Sequence, residues 1–231
     1  MSIFSKEYWK SAARELSNPR SLVLAGVLIA LRVAIKNLYI PVGPDLDITF
    51  GYFVNALGAM SFGPVVAFLG AIISDTLGVL VAPQKGAYFF PFVFVEIAGS
   101  VIFALMLYKK KLTATRVITS RFLVSLVCNI ILNPAILLLY YKMVVGKAYA
   151  IFSLPRILKN LALFPIESVL LVLFLGALVT PLCKLKLITD TPKPELQKKH
   201  YLFLALYVIV AVVAVVIYYS FLTGFDFAIR I

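Results

Sequence analysis

The apolar run Leu22–Ile40 most constrains the fold, because it is long enough to cross a bilayer and carries an arginine. Counted from Ser21, Arg32 lies about 16 Å along such a helix, close to the middle of the membrane. A charged side chain at that depth is unfavourable unless it faces protein, water or a ligand. The run therefore predicts a membrane helix whose arginine either forms an ion pair inside a bundle or contacts an anionic ligand.

This first helix is expected to have two different faces. Gly26, Ala30 and Ala34 recur every four residues and share one face, whereas Arg32 and Lys36 share another. At about 100° per residue, Ala30 and Arg32 point roughly 200° apart. The spacing predicts a smooth face that packs against a partner protein and a cationic face that meets a ligand.

The composition places the whole chain in a membrane. Of its 231 residues 62% are hydrophobic, against about 45–50% in soluble domains, and the mean hydropathy is +1.02. Gly63-Pro64 predicts a tight turn between the second and third apolar runs. We predict an all-α integral membrane protein with a cytoplasmic N-terminal segment that can form an interfacial helix (1–20), a six-helix bundle (21–183), a cytoplasmic linker (184–200), a seventh C-terminal transmembrane helix (201–223) and a tail (224–231).

Basic residues give the expected orientation in the membrane. The chain has 22 Lys and Arg against 10 Asp and Glu, a net charge of +12. Most of these cations lie in three polar segments that fall on one side, which the positive-inside rule makes the cytoplasm, together with the N-terminus. Arg156 and Lys159 fall on the outer side instead. This departure favours an anionic ligand there, although long basic side chains also reach headgroups from helix ends.

Catalysis and metal binding are not expected. The chain has one histidine, two cysteines in apolar runs and no GxxxxGK[ST] phosphate-binding motif. We therefore predict no catalytic residues, no metal, no cofactor and no nucleic-acid partner. A chain of this kind cannot hydrolyse ATP itself, so uphill transport would need an ion gradient or partner subunits.

Three acids lie inside apolar runs, where each should be paired or face a cavity: Asp75, Glu96 and Glu167. They either neutralise Arg32 and Lys36, bind the polar heterocycle of a ligand or form a proton relay, and the sequence leaves these alternatives open. Asn129 and Asn133 offer amide donors and acceptors to the edge of a heteroaromatic ring, or tie helices together.

Five stretches follow one another in an order and spacing typical of a known family. They are ALRVA (30–34), FGPVVAFLGAIISDTLG (62–78), GAYFFPF (86–92), NIILNPAILLLYY (129–141) and LPRILKNLALFPIE (154–167). In these stretches the chain resembles the membrane-embedded S components of energy-coupling factor (ECF) vitamin transporters, in the folate-type branch. The resemblance implies a six-helix bundle that binds a vitamin on the outer side. It also implies docking to a transmembrane coupling subunit driven by two cytoplasmic ATPases, and delivery by toppling of the bundle in the membrane.

Matched position by position, the resemblance assigns roles to named residues. It implies docking through Gly26, Ala30 and Ala34, and it implies folate as the substrate. The loop APQKGAY (82–88) departs from the Pro-Thr-Gly-type turn of the folate branch, which keeps pantothenate or another anionic vitamin open. A stand-alone proton-coupled transporter is the alternative from a different class. The implied substrate contacts are Arg32, Lys36, Gln84, Lys85, Tyr88, Asn133, Arg156 and Asn160.

Overall fold

The computed structural model describes residues 3–35, 38–43, 46–81, 89–146, 154–185 and 188, with helical residues between 202 and 220, and gives the backbone alone at 41–43, 46–47 and 154–156. Within this part of the chain, helices dominate. The elements are α1 (Lys6–Arg14), a 3₁₀ turn (Glu15–Ser17), α2 (Pro19–Ile35), β1 (Tyr39–Gly43), β2 (Leu46–Thr49), α3 (Gly51–Val81), a 3₁₀ turn (Phe90–Phe92), α4 (Val93–Leu107), α5 (Ala114–Val124), a π-helical segment (Ser125–Leu132), α6 (Asn133–Tyr140), a π-helical turn (Tyr141–Val145) and α7 (Leu154–Lys184).

The predicted all-α membrane fold is confirmed. Among the described residues, four helices are long and apolar enough to cross a membrane, or five if the bent pair formed by α1 and α2 counts as one span. Large apolar side chains such as Val27, Phe94 and Leu173 are exposed on the outside of the bundle, as lipid contact requires. The expected total of six helices and a seventh stays a prediction.

A small β-hairpin was not expected from the sequence. The apolar run was predicted to continue as helix to Ile40, but α2 ends at Ile35 and Tyr39 pairs with Thr49 in an antiparallel ladder. The β-branched and aromatic residues on either side of Pro41 favour extended backbone, and proline does not continue a helix. Hydropathy alone could not detect this change, because strand and helix residues are equally apolar here.

The long helix α3 consists of two arms that meet at Gly63. Its backbone there is non-helical (φ 80°, ψ −177°), in a region that glycine adopts without strain. The turn is also crowded, since a Cβ at Gly63 would lie 2.9 Å from Tyr108 Cε1. A Cβ added at Gly58 in the first arm would lie 3.6 Å from Leu28 Cδ1 of α2, and one added at Gly70 in the second arm would lie 3.5 Å from Ile29 Cδ1. Both arms therefore pack on α2, as a turn at Gly63-Pro64 predicts.

The main core joins α3, α4, α5 and α7. Met60, Phe103 and Leu175 are fully buried in it, and the Phe53 ring packs on the Phe174 ring with centroids 4.7 Å apart. Close packing of this kind is what holds helices together in lipid, where apolar surface gains little by leaving the solvent. The core holds the helices that line the cavity described below.

Helix α1 is fixed to the end of α4 and turns sharply away from α2. The two helices are bent by 82° at Asn18. Tyr8 donates a hydrogen bond to the carbonyl oxygen of Ala104 (3.2 Å), and its ring meets Tyr108 edge-on at 5.5 Å. Ala12 is buried beside them. The short N-terminal helix is thus packed against the bundle along one face and exposed along the other.

Candidate functional site

A cavity of about 570 Å³ opens between the helices, within the range of ~300–1,000 Å³ that small-molecule sites occupy. Helices α2 to α7, the π-helical segment and the end of β2 contribute to its wall. Charged and amide side chains provide much of the lining, which is unusual for the interior of a membrane bundle. The described lining residues are Arg32, Thr49, Gly51, Tyr52, Asn55, Ser74, Val95, Glu96, Gly99, Phe103, Arg121, Val124, Cys128, Asn129, Asn133, Lys159, Asn160, Leu163 and Glu167.

Arg32 points into the bundle and is held by three partners. Its side chain is 12% exposed and forms an ion pair with Glu96 of α4. Its Nη1 also donates to Asn55 Oδ1 (3.3 Å) and to Ser100 Oγ (3.2 Å). Ser100 Oγ in turn lies 2.7 Å from Asn55 Oδ1. The network ties α2 to both α3 and α4, and it satisfies the requirement that an arginine in a membrane helix faces protein.

A second ion pair joins α5 to α7. Arg121 Nη2 contacts Glu167 Oε2, and both side chains are only 6% exposed. The guanidinium carbon of Arg121 lies 4.4 Å from the Tyr52 ring centroid, close enough for a cation–π interaction. Tyr52 Oη donates to the backbone oxygen of Glu167 at 3.3 Å. Tyr52 therefore contacts both members of the pair.

Sequence reasoning missed Arg121 and Asn55. Arg121 was counted as a cytoplasmic loop charge because the fifth apolar run begins at Phe122, but α5 begins at Ala114 and buries Arg121. A signal was present, since Glu167 in an apolar run needs a cation within reach. Glu96 thus neutralises Arg32, which is one of the alternatives left open by the sequence, whereas Glu167 neutralises Arg121 instead. Asn55 is an isolated amide in an apolar run, and nothing in its spacing distinguished it.

The amide-bearing helix contributes through an unusual backbone. Asn129 lies in the π-helical segment and Asn133 at the start of α6, and both line the cavity. π-Helical turns are rare and are frequent at functional sites, because they rotate side chains away from regular helical positions. Lys159 and Asn160, near the beginning of α7, line the cavity as well. Asn133 and Asn160 thus lie where a cavity ligand would contact them.

The other predicted residues are not all part of the described lining. Asp75 is buried in the second arm of α3 but is not among the described lining residues. The residue before it, Ser74, lines the cavity instead. Lys36, Gln84, Lys85 and Tyr88, together with the side chain of Arg156, lie outside the described residues.

The opposite face of α2 is open. Gly26, Ala30 and Ala34 are all exposed, and a Cβ added at Gly26 would meet no atom within 4 Å. Arg32 on the same helix points to the cavity. The two faces are therefore arranged back to back, as the spacing predicts.

The cavity carries a small excess of positive charge. Among the described lining residues, Glu96 and Glu167 balance two arginines, and Lys159 remains as an additional cation. Within the same part of the chain, no group of three or more His, Cys, Asp or Glu side chains is placed to hold a metal ion. The arrangement suits a polar organic ligand with net negative charge.

The family follows from a comparison with known proteins. A family model described as "ECF-type riboflavin transporter, S component" matches residues 17–181, most of the chain. The chain belongs to this family. It is therefore a transport subunit of the bacterial cell membrane rather than an enzyme, and the predicted S component is confirmed. Helix α1 and the residues after 181 lie outside the match.

Named relatives and a solved structure agree with this assignment. The folate transporter FolT of Clostridium novyi is 27% identical over 150 residues, which cover 65% of this chain and 84% of the relative. FolT of Leuconostoc mesenteroides is 32% identical over 151 residues, covering 64% and 80%. A crystal structure of FolT bound with folic acid has 33% identity and a TM-score of 0.56, and the match covers 66% of this chain and 89% of that one.

Proposed function

We propose that this chain binds folate in the cavity and delivers it to the cytoplasm as the S component of an ECF-type importer. The observation that carries the proposal is the cavity itself, whose lining combines amides, paired charges and an additional lysine. The curated relatives named above are folate transporters, and the structural neighbour is bound to folic acid. The chain spans four fifths or more of these relatives' length.

Folic acid has chemical features that this lining can match. It combines a flat heterocycle whose edge donates and accepts hydrogen bonds with a glutamate tail that carries two carboxylates. Asparagine amides suit the heterocycle edge, and Lys159 offers a charge-assisted contact to the tail. Within the cavity we assign substrate contact to Arg32, Asn133 and Asn160. The roles of Lys36, Gln84, Lys85, Tyr88 and Arg156 are proposed from the family resemblance alone.

Direct binding decides the substrate. We expect isothermal titration of the purified, detergent-solubilised chain to give tight binding of folic acid and much weaker binding of riboflavin and pantothenate. Riboflavin is the informative competitor, because the matching family model is described by that vitamin. It has no carboxylate for Lys159. Binding of riboflavin without binding of folic acid would overturn the proposal.

Docking to the coupling subunit is proposed to use the small face of α2. Ala34→Trp should abolish folate uptake by cells that contain the complete transporter and should leave folic acid affinity nearly unchanged, because Ala34 lies opposite the cavity-facing Arg32. Leu173→Trp on α7 is the matched control, since Leu173 is also exposed, at 51%. Equal loss of affinity and uptake in Ala34→Trp would contradict separate faces for ligand and partner.

Dependence on an energy-coupling module separates this proposal from a proton-coupled carrier. Proteoliposomes with the chain alone should not accumulate folate, whereas those that also hold the module and ATP should. Ion pairing supports this expectation, since Glu96 and Glu167 are both already bound by arginines of the protein. Uptake by the chain alone that collapses with a proton ionophore would contradict it.

A further inference from the structure

The buried Arg121 has hydrogen-bonding capacity that the protein does not use. A guanidinium carries five N–H donors. Among the described residues, those of Arg121 make one hydrogen bond, to Glu167, and Nε has no partner. The less buried Arg32, by contrast, has three partners. Because Arg121 and Glu167 both line the cavity, a ligand there can use the remaining Nη–H donors and carboxylate acceptor positions, whereas the unpartnered Nε is itself buried.

The charge balance of the pair limits what can bind against it. Arg121 and Glu167 neutralise one another in a buried setting, where charges interact strongly. A ligand carboxylate placed there would be repelled by Glu167, and a ligand cation would be repelled by Arg121. A neutral group avoids both penalties if it presents an acceptor beside a donor. The edge of a cyclic amide does so, since its carbonyl oxygen accepts from the guanidinium and its N–H donates to the carboxylate.

We propose that Arg121 and Glu167 recognise the cyclic-amide edge of the folate heterocycle, with Tyr52 as the residue that positions them. The inference rests on the proposed function and adds an orientation to it. The neutral ring lies against the balanced pair, and the carboxylate tail extends toward Lys159, the additional cation of the lining. Tyr52 supports this geometry, because its ring contacts the guanidinium and its hydroxyl contacts the backbone of Glu167.

Aminopterin provides a direct test, because its ring has an amino group in place of the carbonyl oxygen and lacks the adjacent ring N–H, while the rest of the molecule is the same as in folic acid. That amino group would direct N–H toward the N–H groups of Arg121. We expect the purified wild-type chain to bind folic acid at least tenfold more tightly than aminopterin at neutral pH. If Glu167 were an uncompensated carboxylate, it would instead favour the more basic aminopterin ring, so a preference for aminopterin would overturn the inference.

A double variant isolates the pair from its role in folding. Arg121→Met with Glu167→Leu replaces both charges by apolar side chains of similar size, so that no unpaired charge stays buried. We expect its folic acid affinity to fall by about 10²- to 10⁴-fold, as loss of two hydrogen bonds to charged groups predicts, and its preference for folic acid over aminopterin to fall to about one. Arg116→Met is the matched control on the same helix; Arg116 is not among the described cavity-lining residues, and this variant should keep both values.

The possible outcomes are distinguishable. If the double variant keeps the wild-type preference, this inference is wrong and the proposed function stands. A wild-type chain that binds neither compound would overturn both. Should the double variant fail to fold, Arg121→Lys retains the charge and removes the guanidinium donors, and an unchanged preference in Arg121→Lys would equally overturn the inference.

Discussion

Two arginine–glutamate pairs line the same cavity, and they differ in how completely the protein satisfies them. Arg32 and Glu96 are 12% and 34% exposed, and Arg32 has further hydrogen bonds to Asn55 and Ser100. Arg121 and Glu167 are each 6% exposed, and Arg121 has no other hydrogen-bonding partner among the described residues. The more buried pair, Arg121 and Glu167, therefore has fewer hydrogen bonds although removing it from water costs more free energy.

The difference suggests two separate tasks for the same residue types. The Arg32 network reaches α2, α3 and α4, so it fixes the helix that also carries the exposed small face. Among the described residues, the Arg121 pair bridges α5 and α7 with Tyr52 of α3 packed against it, and it keeps unused polar positions beside the cavity. Buried polar groups are stable only when they are hydrogen-bonded. We infer that the protein satisfies most of the hydrogen-bonding capacity of the first pair, so that Arg32 keeps few donors for a ligand, whereas the second pair is completed by what enters the cavity.

The largest expected effect is on the deeper pair, Arg121 and Glu167. Glu167→Ala should lower the free energy of unfolding by about 3–5 kcal/mol, because it leaves Arg121 buried without a counter-charge. Thermal unfolding in detergent, followed by the loss of soluble monodisperse protein, measures this. The double variant Arg121→Met with Glu167→Leu should recover most of the loss. A double variant no more stable than Glu167→Ala would show that the damage comes from packing and not from charge.

The Arg32–Glu96 pair should respond less to the same change. Glu96→Ala should lower the free energy of unfolding by about 1.5–3 kcal/mol, the range for a hydrogen bond to a charged group, because Arg32 keeps Asn55 and Ser100 and Glu96 is a third exposed. The measurement is the same unfolding assay, run beside Glu167→Ala. A loss equal to or greater than that of Glu167→Ala would break the contrast between the two pairs.

The sequence predicted one pair far better than the other, for a physical reason. Arg32 sits within an apolar run, so hydropathy alone required it to face the bundle. Arg121 sits at the boundary of a run, next to loop lysines, and only the start of α5 at Ala114 reveals that it is buried. Sequence separation does not explain the difference, since the partners are 46 residues apart in this pair and 64 residues apart in the Arg32–Glu96 pair.

The same distinction applies to the fold. The turn at Gly63 and the two faces of α2 were predictable, because backbone sterics and helical periodicity act over a few residues. The β-hairpin at Tyr39–Gly43 was missed, since apolar content does not separate strand from helix. Asn55 was missed because its importance comes from contacts with Arg32 and Ser100 on two other helices. Local chemistry thus predicted elements, whereas the composition of the site depended on helix packing.

The smallest expected effect concerns Tyr52, and it tests whether its ring or its hydroxyl supports Arg121. Tyr52→Phe removes the 3.3 Å hydrogen bond to the backbone of Glu167 but keeps the ring 4.4 Å from the guanidinium. We expect a loss of about 0.5–1.5 kcal/mol in unfolding free energy and an unchanged preference for folic acid over aminopterin. Tyr52→Leu removes the ring as well and should reduce that preference, because Arg121 loses the surface that orients it. If Tyr52→Phe alone reduced the preference, the hydroxyl would be the orienting group, and the deeper pair would depend on its partners as closely as Arg32 does.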